Sequence, residues 1–575
     1  MIESKNNSVE SDHLNLRKME SILTELGVKE SHVRIAIQRA AMTGESLPKI
    51  MSDYGFLSGD QVADAVSRMT DFEYYNSTRM EQVSLADIEG ITMGMYQRFV
   101  PVGRAEDETL LIAVPDETII NNAKNEFYKE RVRFVIAAEY SIQALHRKYF
   151  AKTEQAFDDA VSDFMEEAHG AGRMQEEDSG KARIVFGTLI RHACYSGASD
   201  LYLYKSEHVG VIKLKINGVG QLFRSIDPHL FDRLLNKLVT DNSKVDDLRR
   251  APQESVLEFS EEDKRIYEDI TTRFRFRLEL TESRGVRNAV IRMLDKQSNA
   301  TQLDRLGFDA STMSAIHRMS NAATGLIIVT GPTGSGKTTS LYAMLKEIDP
   351  VERSIQSIEN PIEYRHGLWQ QYELRKDAEN EGEEFNVWLK ALLRNAPDVI
   401  LMGEVRDKNV AQILLDAANT GHLAFTTLHT NTAALALARL KRLEVDQQTL
   451  ASVLLGILAQ RLVRVLCPFC KKVDEREETK NELEAANSYL RTFSPCRQGE
   501  GCSHCDFSGY KGRRIIYELL TVTPEVRQLI EENVAPSIIG QKGIPRDATM
   551  WANGLKMVAD GSTSFDEVLR VSVKD

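Results

Sequence analysis

The feature that most constrains this chain is a loop of residues with small side chains, which lies between an apolar run and a helical pattern. The whole segment reads LIIVTGPTGSGKTTSLYAM at residues 326–344. Its glycines let the backbone turn tightly and point N–H groups at phosphate oxygens, and the following helix adds the positive end of its dipole. Lys337 can reach the β- and γ-phosphates of a nucleotide, and the Thr338 hydroxyl can bind Mg²⁺. The pattern G-x-x-x-x-G-K-[ST] and the residue after it predict nucleotide binding by Gly331, Pro332, Thr333, Gly334, Ser335, Gly336, Lys337, Thr338 and Thr339.

Length and charge set the frame for this loop. A chain of 575 residues is too long for one hydrophobic core, so we expect about three or four domains. Acidic residues outnumber basic ones by 85 to 72, and no long basic tract stands out, so a nucleic-acid partner is not indicated. No apolar run reaches the roughly 18 residues of a membrane span, and the start MIESKNNSVESDHLN lacks a signal-peptide pattern. We therefore expect a cytosolic protein that docks on a membrane protein.

The spacing of apolar residues divides the chain into four parts. Residues 1–150 predict helices followed by a small α/β module, which we interpret as a docking domain. Residues 151–182 begin helically and become charged and glycine-rich, which predicts a flexible linker. Residues 183–298 predict a second α/β domain. From 299 to 575, strands alternate with helices as in a parallel α/β sheet, and this part includes a cysteine module at 460–515 and C-terminal helices.

Two segments suggest charged groups near a nucleotide. The apolar run DVILMGE at 398–404 predicts a buried strand that ends at Glu404, the place where a nucleotide hydrolase holds Mg²⁺ or water. A solvated loop carboxylate is the alternative. The segment RFRFRLEL at 273–280 alternates charged with apolar residues, so a strand there has one basic face. That face is either solvated or directed at the phosphates of a neighbouring subunit, and the alternation favours neither.

Four of the six cysteines have the spacing of a metal site. They form two C-x₂-C pairs, which together offer four thiolates for a tetrahedral, closed Zn²⁺ site. Two redox dithiols or plain buried cysteines are the alternatives. The segment between the pairs is polar and helical, and we expect it to need the metal to stay attached to a core. The predicted ligands are Cys467, Cys470, Cys502 and Cys505.

The chain resembles the secretion ATPase superfamily of type II secretion and type IV pilus assembly, a hexameric RecA-like branch. The resemblance is strong over about 183–575 and weaker before it. The fold that it implies is α/β and multidomain. It comprises an N-terminal helical plus α/β domain, a PAS-like α/β domain, a RecA-like P-loop ATPase core and a C-terminal helical bundle with a tetracysteine zinc module. The matching motifs are GPTGSGKTTSLY, IENPIEY (358–364), LRNAPDVILMGEVRD (393–407), TGHLAFTTLHTNTA (420–433), GASDLYLY (197–204), IKLKING (212–218), AQRLVRVLCPFC (459–470) and GCSHCDFSGYKGRR (501–514).

The resemblance implies roles for acids and histidines at the nucleotide. Glu363 becomes the general base that activates the attacking water, with Glu359 as a supporting acid. Glu404 becomes the acid that holds the Mg²⁺-bound water shell. His429 and His422 match the motif whose role is to sense the γ-phosphate. The implied cofactors are ATP, Mg²⁺ and Zn²⁺.

The resemblance also implies arginines that act across a subunit interface. Arg277 and Arg292 match positions that the family directs at phosphate, as arginine fingers do. The sequence also departs from the family. Asn360 stands where an Asp is usual, Tyr202 replaces a usual His, and the usual Arg and Asp of one strand are replaced by Lys213, Lys215 and Asn217. The three glutamates remain, so we still expect hydrolysis.

The function that the resemblance implies is that of a cytoplasmic motor at the inner face of the membrane. A homohexamer would hydrolyse ATP and drive an inner-membrane platform protein, so that pilin or pseudopilin subunits assemble into a fibre. The N-terminal domain would dock on a membrane-anchored assembly protein. A retraction motor and a non-hydrolysing docking subunit are the alternatives. The R-L-G-x-x-L pattern by which some relatives bind cyclic-di-GMP is incomplete here, where Leu47 is followed by Pro48.

Overall fold

The chain forms two compact units in the computed structural model, residues 1–297 and 298–575. No helix among the described residues is long and apolar enough to cross a membrane. The structure describes residues 18–572 and 574 apart from 20, 44, 46, 85, 92, 94–97, 150–152, 171–177, 207, 243–252, 258, 284–285, 296–301, 375–380, 487, 491–492, 503–504 and 506.

The first unit begins with helices and a small four-stranded sheet. The strand order is β1-β4-β3-β2, and the buried strand residues pack with Phe99 and Phe127. Within the described residues, the predicted helices followed by a small α/β module are confirmed. The strands are β1 Glu73–Tyr75, β2 Val100–Arg104, β3 Leu110–Val114 and β4 Val132–Ala137. The helices are Glu30–Thr43, Leu47–Asp53, Gly59–Thr70, Ser77–Gln82, Ile120–Glu126 and Glu139–Tyr149.

The rest of the first unit is built on a six-stranded antiparallel sheet. Its order is β7-β6-β5-β10-β9-β8, and Phe276 and Leu278 turn one face of β9 into the core. The strands are β5 Ala198–Lys205, β6 Gly210–Ile216, β7 Val219–Ile226, β8 Gln253–Val256, β9 Phe274–Ser283 and β10 Val286–Asp295. The helices are Thr153–Gly170, Asp178–Tyr195, Pro228–Asn242, Glu261–Ile266 and Glu268–Thr271.

The flexible linker predicted over 151–182 is wrong for most of its length. Helix Thr153–Gly170 packs on helix Asp178–Tyr195 and contributes Phe157 and Phe164 to the core of the six-stranded sheet. Phe157 is 1% exposed and Phe164 is 2% exposed, so the helix is held by apolar burial. The outer face of the helix carries exposed acids such as Glu154, Asp159 and Asp163, and residues 171–177 lie outside the described part.

The second unit contains a seven-stranded sheet of order β13-β12-β14-β15-β11-β16-β19. All neighbours pair in parallel except β16 with β19, so the predicted parallel α/β sheet is confirmed with one antiparallel edge. The strands are β11 Gly325–Thr330, β12 Ile355–Glu359, β13 Gln370–Glu373, β14 Val399–Met402, β15 Leu423–Leu428, β16 Leu454–Leu466 and β19 Tyr510–Thr521. The helices up to β16 are Ala310–Ser320, Lys337–Lys346, Glu381–Leu393, Lys408–Asn419, Ala433–Arg442 and Gln447–Val453.

The antiparallel pair β16 and β19 carries the cysteine module at its tip. The segment between the two cysteine pairs has apolar contacts of its own, since Leu483 and Ala486 pack against Trp551 and Phe565 in a separate apolar cluster. The expectation that this arm also needs the metal stays a prediction. Two short strands, β17 Lys472–Val473 and β18 Cys496–Arg497, also pair within it. The helices beyond β16 are Glu477–Ala485, Pro524–Glu531, Pro536–Gly543, Met550–Ala559 and Phe565–Val571.

A buried carboxylate ties the last helix to β16. The Glu567 side chain is fully buried and accepts hydrogen bonds from the Arg464 backbone N–H at 3.0 Å and from Arg464 Nη2 at 2.8 Å. Arg570 Nη2 donates at 2.6 Å to Glu567 Oε1, the oxygen that also accepts from the Arg464 backbone N–H. The Ser564 hydroxyl caps the helix by accepting from the Glu567 N–H. Glu567 is therefore a charge that two guanidinium groups neutralise inside the fold.

Removing this carboxylate should destabilise the second unit. We expect Glu567→Ala to lower the free energy of unfolding by about 2–4 kcal/mol, because two guanidinium groups lose their buried partner. Urea denaturation followed by hydrogen exchange in the helix Phe565–Val571 measures the change. The neighbouring Asp566→Ala is the control, since Asp566 is 59% exposed in its pair with Arg476 and should cost less than about 1 kcal/mol. Equal losses in the two variants would contradict this account.

Candidate functional site

The phosphate loop joins β11 to helix Lys337–Lys346, as the sequence predicts. Gly331, Gly334 and Gly336 have φ values of +153°, +79° and +85°, which disfavour any residue with a side chain. The loop backbone comes closest to its neighbours at Gly331. A Cβ on this residue would lie 2.4 Å from the backbone oxygen of Gln460 and 2.5 Å from the Ser335 hydroxyl. The loop needs residues with small side chains here because its backbone lies directly against β16.

Gln460 supports the loop, and the sequence did not reveal it. Its side chain is fully buried on β16, and Nε2 donates to the backbone oxygen of Ser335 at 2.8 Å. It lies 125 positions from Ser335 in the chain, in a motif that was assigned to the cysteine module. A buried amide within an apolar strand pattern was the available signal.

Lys337 lies nearly buried at the start of its helix. Its Nζ donates to the backbone oxygens of Gly331 at 2.9 Å and Pro332 at 3.2 Å, so the loop curls around the ammonium group. Burial lowers the pKa of Lys337, and the charges of Glu404 and Glu363 oppose that shift. The two acids that the sequence assigned to the nucleotide therefore lie close enough to Lys337 to act on its charge.

Loops after neighbouring strands bring the other polar groups to the same edge of the sheet. The Thr338 hydroxyl donates to Glu363 Oε1 at 3.2 Å. His429 Nε2 lies 3.6 Å from Glu404 Oε1, and Arg406 Nε donates to Glu404 Oε2 at 3.0 Å. Burial, followed by the positive charge of Lys337, lowers the pKa of His429. The structure thus brings Lys337, Thr338, Glu363, Glu404 and His429 together, as their positions after parallel strands require.

Glu359 is held differently from Glu363. It ends β12 and is 4% exposed, and it accepts hydrogen bonds from Tyr342 Oη at 2.7 Å and Ser357 Oγ at 2.6 Å. Gln371 Nε2 donates to it at 3.3 Å. Burial raises the pKa of Glu359, and the three hydrogen bonds oppose that shift. Because its oxygens face neighbouring side chains, Glu359 fixes the start of the loop that carries Glu363.

Three predicted residues do not join this group within the second unit's own site. His422 precedes β15 while His429 follows it, so the two histidines lie at opposite ends of a six-residue strand, and His422 Nδ1 lies 2.8 Å from the backbone oxygen of Ala417. Arg277 and Arg292 face each other on β9 and β10 of the first unit. The Arg292 guanidinium donates to Asp200 at 2.9 Å. Contact of the two arginines with phosphate stays a prediction.

The four predicted cysteines form one cluster. Their sulfur atoms all lie within 4.8 Å of one another, and the Sγ–Sγ distance is 3.7 Å for Cys467 and Cys502 and 3.8 Å for Cys470 and Cys505. Zn–S bonds of about 2.3 Å in a tetrahedron place sulfur atoms about 3.8 Å apart, so the donor set fits zinc. The backbone N–H groups of Cys502 and Gly509 donate to Cys505 Sγ at 3.3 Å and 3.2 Å, which favours a thiolate there.

The chain is similar to several known proteins over most of its length. A family model described as Type II/IV secretion system protein matches residues 175–570. The chain is 34% identical over 402 residues to the type II secretion system ATPase E of Vibrio cholerae serotype O1, covering 69% of this chain and 77% of that protein. It is 34% identical over 401 residues to the putative type II secretion system protein E of Escherichia coli K12, covering 69% of this chain and 78% of that protein.

Solved structures are similar as well. The crystal structure of the pilus retraction motor PilT with bound ADP has a TM-score of 0.46 and 25% identity, with 68% of this chain and 97% of that chain covered. Because the family model matches more than half of the chain, and relatives above 30% identity span more than two thirds of it, this chain belongs to the type II/IV secretion system protein family.

Proposed function

We propose that this chain is the hexameric, cytoplasmic ATPase that powers assembly of a type IV pilus or a type II secretion pseudopilus. It would hydrolyse ATP at the inner face of the membrane and drive an inner-membrane platform protein. The observation that carries the proposal is the convergence of Lys337, Glu363, Glu404 and His429 beside one phosphate loop. Relatives at 34% identity that are named for type II secretion support the cellular role.

Lys337 would exchange its hydrogen-bond partners when the loop binds a nucleotide. Lys337 Nζ donates to the carbonyls of Gly331 and Pro332, and it would turn to the β- and γ-phosphates when these enter. Thr338 and Glu404 offer oxygen atoms that suit Mg²⁺, directly or through its water shell. When bound, Mg²⁺ neutralises charge on the phosphate oxygens as the bond to the γ-phosphorus breaks.

The acids would act on the water that attacks the γ-phosphate. Glu363 accepts a hydrogen bond from the Thr338 hydroxyl, the group that would bind Mg²⁺, and from there it would orient that water and accept its proton. Glu359 would hold the Glu363 loop in place through Tyr342 and would not accept the proton itself. His429 beside Glu404 would report whether the γ-phosphate is present. His422, at the other end of its strand, would act outside this chain's own site.

The ring would complete the site. Arg277 and Arg292 would reach the phosphates of a neighbouring subunit, so that one chain supplies the loop and another supplies the cations. The specific activity would then rise with protein concentration as rings form, and a constant specific activity would speak against this arrangement. The N-terminal domain would dock on a membrane-anchored assembly protein.

Removing the loop cation tests the motor itself. We expect Lys337→Ala to lower steady-state, Mg²⁺-dependent ATP hydrolysis by a factor on the order of 10³ or more, because the loop then holds no cation to neutralise the β- and γ-phosphates. Lys408→Ala is the control, since Lys408 pairs with Glu444 on the surface of the same unit and should leave turnover unchanged. Near-normal hydrolysis by Lys337→Ala would contradict the proposal. A wild-type chain that binds ATP without hydrolysing it would favour the docking subunit instead.

The cysteine cluster should hold a structural zinc. We expect about one zinc per subunit by elemental analysis in reducing buffer, because four thiolates leave no ligand position open. Cys502→Ser should lower that content and destabilise the tip of the β16–β19 hairpin, since metal binding supplies folding free energy on the order of 10 kcal/mol in such sites. Cys496→Ser is the control, because Cys496 lies in the same module outside the cluster and should leave the zinc in place. A zinc-free wild-type chain would contradict the assignment.

A further inference from the structure

The first unit contains a cavity of about 430 Å³ that the nucleotide site does not use. Its walls come from helix Glu139–Tyr149, helix Asp178–Tyr195, and the segment that leads into β9. Five arginines and three carboxylates line it, together with the aromatic rings of Tyr195 and Phe274. The volume lies within the range of about 300–1,000 Å³ that is usual for small-molecule sites.

Most of the charged groups in this wall already have partners. Arg191 Nη2 donates to Asp269 Oδ1 at 2.6 Å, and Arg98 Nε donates to Glu139 Oε1 at 2.9 Å. Arg273 Nε donates to Asp295 Oδ2 at 3.0 Å. The carboxylates of these pairs are therefore occupied by the guanidinium groups that they neutralise.

Arg147 lies in the same wall and differs from these arginines. Within the part of the chain that the structure describes, its guanidinium makes no hydrogen bond and no ion pair. Burial, followed by the positive charge of Arg273, lowers its pKa to about 10, so it still carries its charge at neutral pH. A largely buried, unpaired cation is costly, and it becomes favourable when an anion enters beside it.

We propose that this cavity is a binding site for a small polyanion, a metabolite that carries phosphate or carboxylate groups, and that Arg147 is the cation that recognises it. The guanidinium fork suits either group, because it can donate two parallel hydrogen bonds. The guanidinium groups of Arg191 and Arg273 on the same wall are already paired with Asp269 and Asp295, so Arg147 is the cation that an entering anion would pair with. Tyr195 and Phe274 offer apolar faces for the uncharged part of the molecule.

The site spans two modules of the first unit. Arg98, Glu139, Gln143 and Arg147 belong to the small four-stranded module, whereas Arg191 and the residues of the β9 approach belong to the six-stranded one. One direct bond across this wall runs from Arg273 Nη1 to Gln143 Oε1 at 2.6 Å. A bound anion would add further bonds and hold the two modules together, so the ligand would stabilise the first unit.

Hydrogen exchange of the full chain with pyrophosphate tests this site and keeps it separate from the phosphate loop. In the wild type, pyrophosphate should slow exchange in peptides over 139–149 and 261–274, relative to sodium chloride at equal ionic strength. The same ligand should also protect the loop at 331–339, which serves as an internal reference. Citrate in a parallel titration distinguishes carboxylate from phosphate chemistry by the concentration at which each anion protects.

Two variants locate the effect. Arg147→Met should weaken protection of the cavity peptides by roughly tenfold or more in pyrophosphate concentration, while the loop peptide responds as in the wild type. It should also slow their exchange in the absence of ligand, because an unpaired buried charge is removed. Arg104→Met is the control, since Arg104 pairs with Glu130 in the same module and does not line the cavity.

These exchange measurements test the proposed anion site independently of ATP hydrolysis. Protection of the cavity peptides by either anion, lost in Arg147→Met and kept in Arg104→Met, supports it. Protection of the loop alone in the wild type would overturn it, and so would equal protection of the cavity peptides in Arg147→Met. If Arg147→Met exchanges rapidly throughout the first unit without ligand, Arg147→Lys decides instead. That variant keeps the charge without the fork, and unchanged protection would contradict the role of the guanidinium.

Discussion

The nucleotide site depends on the close contact between the phosphate loop and strand β16. Gly331 comes so near the backbone of Gln460 that a Cβ would collide with it, and the Gln460 amide holds Ser335 from below. The same strand pairs in parallel with β11 and antiparallel with β19, and it ends one residue before Cys467. The loop that receives phosphate and the hairpin that carries the cysteines are therefore built on one continuous strand, which the Arg464–Glu567 contact ties to the last helix.

The charged side chains beside the phosphate loop differ in their partners and in their burial. Lys337 is a cation in a nearly buried place, and its closest partners are the carbonyls of its own loop. The charges of Glu404 and Glu363 oppose the effect of burial on the pKa of Lys337. Glu359 stays apart, because its oxygens face Tyr342, Ser357 and Gln371. Acids that lie close together in the sequence thus have different surroundings, because Glu359 is buried among polar side chains and Glu363 accepts a hydrogen bond from Thr338.

Sequence patterns predicted what depends on local periodicity and on fixed spacing. The strand before the loop, the acid at the end of DVILMGE and the four clustered cysteines all have such signals, and their neighbours in the chain carry the information. The sequence could not predict features that depend on which distant elements meet. Gln460 supports a loop 125 positions away in the chain. In the sequence, Arg147 is an ordinary helix arginine, and its place in a cavity wall depends on elements that are distant in the chain. The linker prediction at 151–182 was wrong over the helix Thr153–Gly170, because a charged outer face concealed the apolar stripe of Phe157 and Phe164.

We propose that Glu363 accepts the proton of the attacking water, whereas Glu359 holds the loop that carries Glu363 in position. The most direct measurement is single-turnover phosphate release, compared with ATP binding, in Glu363→Gln and Glu359→Gln chains. Glu363→Gln should bind Mg²⁺–ATP with near-normal affinity and lose phosphate release by a factor on the order of 10² or more, because the water loses its proton acceptor. Glu359→Gln should keep a larger share of its phosphate release, since an amide can replace part of its hydrogen bonding. Normal phosphate release by Glu363→Gln, with release lost in Glu359→Gln, would contradict the assignment.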